Sequence, residues 1–125
     1  MQSGSENSKL TVYIPVTLLR RVKIKSAQVG LMRYSGFAEG LLSKGFAATK
    51  PYKDYKDLAT NSKLIPDGFA NSKRGNPHSD RDLLKKKVTF YFTPATMKLI
   101  KRNCRKFRLS ISSAVELGLE IGSAV

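Results

Sequence analysis

Two short stretches of the chain alternate apolar and polar residues with a period of two, and each runs on into residues of helical period. Lys9-Leu10-Thr11-Val12-Tyr13-Ile14 is echoed by Lys87-Val88-Thr89-Phe90-Tyr91-Phe92, a shift of 78 positions (87 minus 9). Three of the six residues are identical and the others are apolar in both copies. Each stretch therefore reads as a half-buried strand with Leu10, Val12, Ile14 and Val88, Phe90, Phe92 turned inward.

Proline closes both stretches, at Pro15 and Pro94, where it ends a strand and opens a helix without losing a needed donor. Thr93 or Thr17 is placed to cap the helix that follows. Leu19, Val22, Ser26 and Val29 then recur at helical spacing, and the same shift carries them onto Met97, Ile100, Cys104 and Phe107. Both sets are expected to line the core. After breaks at 30–34 and 108–111, residues 35–46 and 112–124 read as second helices at a shift of 77 (112 minus 35), matching Ser35 to Ser112, Glu39 to Glu116, Leu42 to Leu119 and Gly45 to Gly122. Ser113 has capping-box spacing to Glu116, and Ser110 and Ser112 are equally placed as caps. The spaced glycines Gly36, Gly40, Gly118 and Gly122 are expected to let helix backbones approach closely.

The expected organisation is a disordered polar tail over 1–8, a strand-helix-helix repeat over 9–46, a connector over 47–86 and a second repeat over 87–125. The tail reads equally as a cloning remnant or the cut end of a longer protein. The connector holds Pro51, Pro66, Pro77 and the turn-forming Asp67-Gly68, Arg74-Gly75 and Asn76-Pro77. Within it Thr49, Pro51, Tyr52, Tyr55 and Leu58 would cap and line one short helix. A strand followed by two helices cannot bury its apolar face alone, so the repeats are expected to pair their strands antiparallel and interlock their helices. The predicted fold is mostly α with a two-stranded antiparallel β-ribbon, one folded unit.

Charge narrows the function. The 125 residues carry 23 Lys plus Arg against 9 Asp plus Glu, a net charge of +14. That excess calls for a polyanion: nucleic acid, an anionic membrane surface or another acidic partner. Arg20, Arg21, Lys23 and Lys25 fall on the polar face of one helix, and Lys98, Lys101, Arg102, Arg105 and Lys106 on the other. No run approaches the roughly 18–20 apolar residues of a membrane span, and the start MQSGSENSK has no signal-peptide core, so a soluble, cytoplasmic protein is expected. The single cysteine, Cys104, lies on the core stripe and reads as a small buried filler. Catalytic parts are thin. The one histidine, His78, lies near Asp80 and Asp82 in the turn-rich connector, and there is no Walker-type glycine loop. No enzyme activity, metal or cofactor is expected.

The tandem strand-helix-helix pattern resembles the ribbon-helix-helix family, which includes the Arc and MetJ repressors. The resemblance covers about three-quarters of the chain. It implies that ribbon side chains enter the major groove of double-stranded DNA, placing Lys9, Thr11, Tyr13, Lys87, Thr89 and Tyr91 on base edges. It also implies phosphate contacts at the start of each second helix, from Arg33, Ser35 and Gly36 in one repeat and Arg108, Ser110, Ser112 and Ser113 in the other. Most members are single repeats that dimerise. Carrying both repeats in one chain is similar to accessory proteins of conjugative and T-DNA transfer, which implies a monomeric pseudo-dimer in a bacterial cytoplasm, working beside a relaxase. A transcriptional repressor or antitoxin-type regulator is the alternative, and a basic scaffold for another polyanion is a further one.

Overall fold

The computed structural model describes residues 7–30, 34–66, 69 and 85–124. In chain order these form a strand Ser8–Pro15 (β1), helices Val16–Gln28 (α1), Tyr34–Thr49 (α2) and Tyr55–Asn61 (α3), a strand Lys85–Phe92 (β2), and helices Pro94–Phe107 (α4) and Ile111–Ala124 (α5). The chain is mostly helical, and its one described sheet is an antiparallel pair of β1 and β2. No described helix is long and apolar enough to cross a membrane.

The period-two pattern decides which face of the ribbon is buried. Leu10, Val12, Ile14, Val88, Phe90 and Phe92 all turn into the core, each at most 9% exposed. Phe90 and Phe92 stack with ring centroids 5.0 Å apart, and Tyr34 meets Phe90 edge-on at 5.6 Å. Full burial of such a side chain contributes about 1.5–3 kcal/mol, so these six outweigh any single polar contact in the molecule. Beneath the ribbon α2 and α5 cross closely. A Cβ on Gly45 would strike the Gly118 carbonyl, and one on Gly122 the Leu41 carbonyl. Gly36 and Gly40, expected at such a crossing, face open space instead.

Helix boundaries follow local chemistry with some corrections. Thr93 caps α4, its hydroxyl accepting from Thr96 N at 3.4 Å. Thr17 caps nothing, because α1 begins directly after Pro15, which has no side-chain cap bond. Ser110, not Ser112 or Ser113, caps α5 by accepting from Ser113 N at 3.1 Å. The short connector helix is capped by Asp54, which accepts from Asp57 N at 2.8 Å. Thr49 belongs to the end of α2, where its hydroxyl donates to Phe46 O.

A second apolar cluster explains an asymmetry. Leu58 of α3 is fully buried with Phe107, Leu109, Leu117 and Ile121, and Tyr52 and Tyr55 pack against them. Lys106 Nζ fastens this side by donating to the Thr49 and Lys50 carbonyls at 3.3 and 3.1 Å. Val29, which corresponds to Phe107, was expected in the core but is 60% exposed. It lies just past the last residue of α1, and α3 covers only the α4–α5 side. Cys104 is half-buried between the two clusters.

Candidate nucleic-acid interface

Strand alternation turns one set of side chains away from the core. Lys9, Thr11, Tyr13, Lys87 and Tyr91 are exposed and Thr89 is half-buried, with Tyr13 and Tyr91 at 52% and 49%. The register sets Thr11 against Thr89, Lys9 against Tyr91 and Tyr13 against Lys87. Corresponding threonines thus face each other at the centre, and their hydroxyls share a 3.1 Å hydrogen bond. Each cationic lysine has a tyrosine as its cross-strand neighbour. Only one proton lies between the two threonine oxygens, so the pair keeps both donor and acceptor capacity outward.

The second helices are fastened to this ribbon crosswise. Ser35 at the start of α2 accepts from Tyr91 N at 3.0 Å, and Ser112 at the start of α5 accepts from Tyr13 N at 3.0 Å. Each serine therefore holds the strand of the other repeat and keeps its own hydroxyl proton to donate. The helix starts are thereby brought beside the ribbon, where unpaired amides and the helix dipole favour an anion. Gly36 is exposed there. Ser110 and Arg108 are exposed ahead of α5, whereas Ser113 is 1% exposed and its amide is taken by Ser110. Ser113 is thus withdrawn from any ligand. Arg33 lies outside the described residues, as do His78, Asp80 and Asp82.

Arg108 adopts left-handed backbone at φ 54°, and the corresponding Gly30 does so at 83°. Glycine takes that conformation freely; arginine does not. The bend aims the chain from α4 into α5 and leaves the guanidinium exposed next to the α5 start.

Several residues at the interface carried no signal in the strand pattern. Tyr34 donates to the Thr89 carbonyl at 3.5 Å and lies under the Lys23 ammonium, 5.1 Å from the ring centroid. Glu39 accepts from Thr93 N at 2.6 Å. For its counterpart Glu116 no equivalent bond is possible, since the position corresponding to Thr93 is Pro15, which has no N–H. Lys85 supplies the missing partner instead, with Nζ 3.3 Å from Glu116 Oε1. Burial pushes the Glu116 carboxyl pKa up; Lys85 opposes this and the nearby Glu120 adds to it. Matching glutamates in the repeats were the available clue, but which partner each takes depends on the fold.

A cleft of about 640 Å³ opens beside the ribbon, lined by Asn7, Tyr34, Ser35, Gly36, Glu39, Thr89 and Tyr91. No group of three or more metal-ligating side chains occurs among the described residues. Burial also raises the Cys104 thiol pKa, which disfavours a reactive thiolate. The arrangement offers hydrogen-bonding groups and the exposed Lys9 and Lys87 on one face of the ribbon. No protein-family model, no curated protein and no solved structure matches the chain.

Proposed function

We propose that the chain is a non-enzymatic protein that binds double-stranded DNA, its two repeats folding on each other as a single-chain ribbon-helix-helix pseudo-dimer. One observation carries the reading: Thr11 and Thr89, corresponding residues of the repeats, meet at the middle of the ribbon, with the same lysine and tyrosine to either side of each. The outward trio is thereby repeated about an approximate two-fold axis, as a duplex repeats its own backbone. Core packing asks nothing of outward residues, so their identity in both repeats favours a shared ligand.

A two-stranded ribbon fits the roughly 12 Å width of the B-form major groove, and lysine, threonine and tyrosine supply donors and acceptors for base edges. The net charge of +14 suits a phosphate backbone. Ser35, Gly36, Ser110, Ser112 and Arg108 flank the ribbon as phosphate contacts. The resemblance to tandem accessory proteins suggests the process: marking a site in conjugative or T-DNA transfer beside a relaxase.

The test is selection of bound sequences from a random duplex pool, followed by titration of the best one against salt. Enrichment of a defined sequence is expected, with affinity falling log-linearly by about 0.9 per phosphate contacted. No enrichment together with a flat salt response would overturn the reading.

A further inference from the structure

The two matching glutamates stand in matching places, and one of them already holds an ammonium. Lys85 Nζ lies 3.3 Å from Glu116 Oε1. The shift of 78 that relates the strands carries Lys85 onto Asn7 (85 minus 78), a shorter and uncharged side chain. Glu39, the counterpart of Glu116, pairs with no cation among the described residues. The cleft of about 640 Å³ opens between these two, with Asn7 and Glu39 both in its lining. Glu39 is held in place by the Thr93 amide on one oxygen, a bond that Pro15 cannot offer Glu116. A carboxylate has further lone pairs, so that bond leaves capacity for a cation.

The outward lysines do not take this role. Lys9 stands opposite Tyr91 and Lys23 lies over the Tyr34 ring, yet neither pairs with Glu39. Lys87 stands opposite Tyr13 in the same way, and there Glu116 still takes Lys85. The volume exceeds what an ammonium group alone would fill and falls in the range of small-molecule sites. Tyr34 and Tyr91 supply aromatic walls for a carbon body or a cation.

We propose that this cleft binds a small organic cation, a primary ammonium on a short carbon body, with its charge on Glu39 where the second repeat places Lys85. Asn7 and Thr89 offer hydrogen bonds to a second polar end. The occupant touches Thr89 and Tyr91, two of the six ribbon side chains assigned to DNA, so on the DNA-binding reading it acts on one half of the ribbon only.

The Thr93 amide reports on the site, because it donates to Glu39 Oε2. The test follows its cross-peak by nitrogen-correlated NMR of the full chain, without DNA, as putrescine is added at constant ionic strength. A saturable shift is expected, with none from butanediol. Glu39→Gln keeps an acceptor for the Thr93 amide and should lose the saturable shift. Asn7→Lys should move the Thr93 cross-peak towards its putrescine-saturated position with no amine present, and should abolish the further response. Circular dichroism of both variants confirms that the fold is kept. A drift that sodium chloride reproduces, saturation that survives Glu39→Gln, or putrescine binding left intact by Asn7→Lys would overturn the proposal. None of these outcomes involves a duplex, so the DNA-binding reading stands or falls separately, on the sequence selection.

Discussion

Lys85 Nζ lies 3.3 Å from Glu116 Oε1, on the side where Pro15 has no amide to offer. The counterpart Glu39 needs no lysine, since it accepts a 2.6 Å bond from Thr93 N. One carboxylate is matched by a backbone dipole and the other by a full charge. The two matching glutamates are therefore balanced by different groups.

Glu116 makes this difference measurable. Its pKa is raised on folding, so the folded chain holds that proton more tightly than the unfolded chain does. Stability from this group is complete below the ordinary carboxylate range and is lost as pH rises through the raised value. Urea denaturation as a function of pH should show this loss in the wild type, and Glu116→Gln should flatten it. Lys85→Ala should cost roughly 1–3 kcal/mol at neutral pH, by leaving a buried acceptor unmatched, and less as pH falls and Glu116 protonates.

The threonine pair separates recognition from attraction. Thr11→Ala or Thr89→Ala should cost about 1–3 kcal/mol on the best selected sequence while leaving binding to unrelated duplexes nearly unchanged. Competition titrations at fixed salt measure both. Thermal melting should move little, because these side chains point away from the core.

Arg108 should trade stability against binding. Left-handed backbone costs a non-glycine residue on the order of 1 kcal/mol, and the corresponding Gly30 bears no such cost. Arg108→Gly should therefore raise the denaturation midpoint while lowering the salt slope of DNA binding by about 0.9. An unchanged slope would remove Arg108 from the phosphate contacts.

The helix crossing predicts opposite effects of one substitution. Gly122→Ala places a methyl group against the Leu41 carbonyl and should destabilise by roughly 1–3 kcal/mol, as overpacking does. Gly40→Ala meets open space within α2 and should stabilise by about 0.5–1 kcal/mol. Denaturant titration of both variants reads the contrast directly.

Much of this architecture was legible in the chain. The period-two alternation of Leu10, Val12, Ile14 and Val88, Phe90, Phe92 identified both strands and their buried faces, because every second side chain of a strand must share one environment. Comparison of the repeats located all four long helices to within a few residues. The outward positions of the ribbon followed from the same alternation.

Tertiary packing decided the rest. Val29 and Phe107 occupy corresponding places at similar helical spacing, yet only Phe107 is buried, because α3 lies over one side of the molecule and not the other. Ser112 is placed as a cap by the sequence and Ser35 at the start of a helix, and both become crosswise fasteners only once each helix start meets the opposite strand. Gly36 and Gly122 are both helical glycines, but only Gly122 sits where another backbone passes. Local sequence determined periodicity and the inward face, since those depend on neighbours along the chain. Which glycine is crowded, which serine is engaged and which glutamate needs a lysine depend on residues some 30 to 100 positions away, and only the folded chain brings them together.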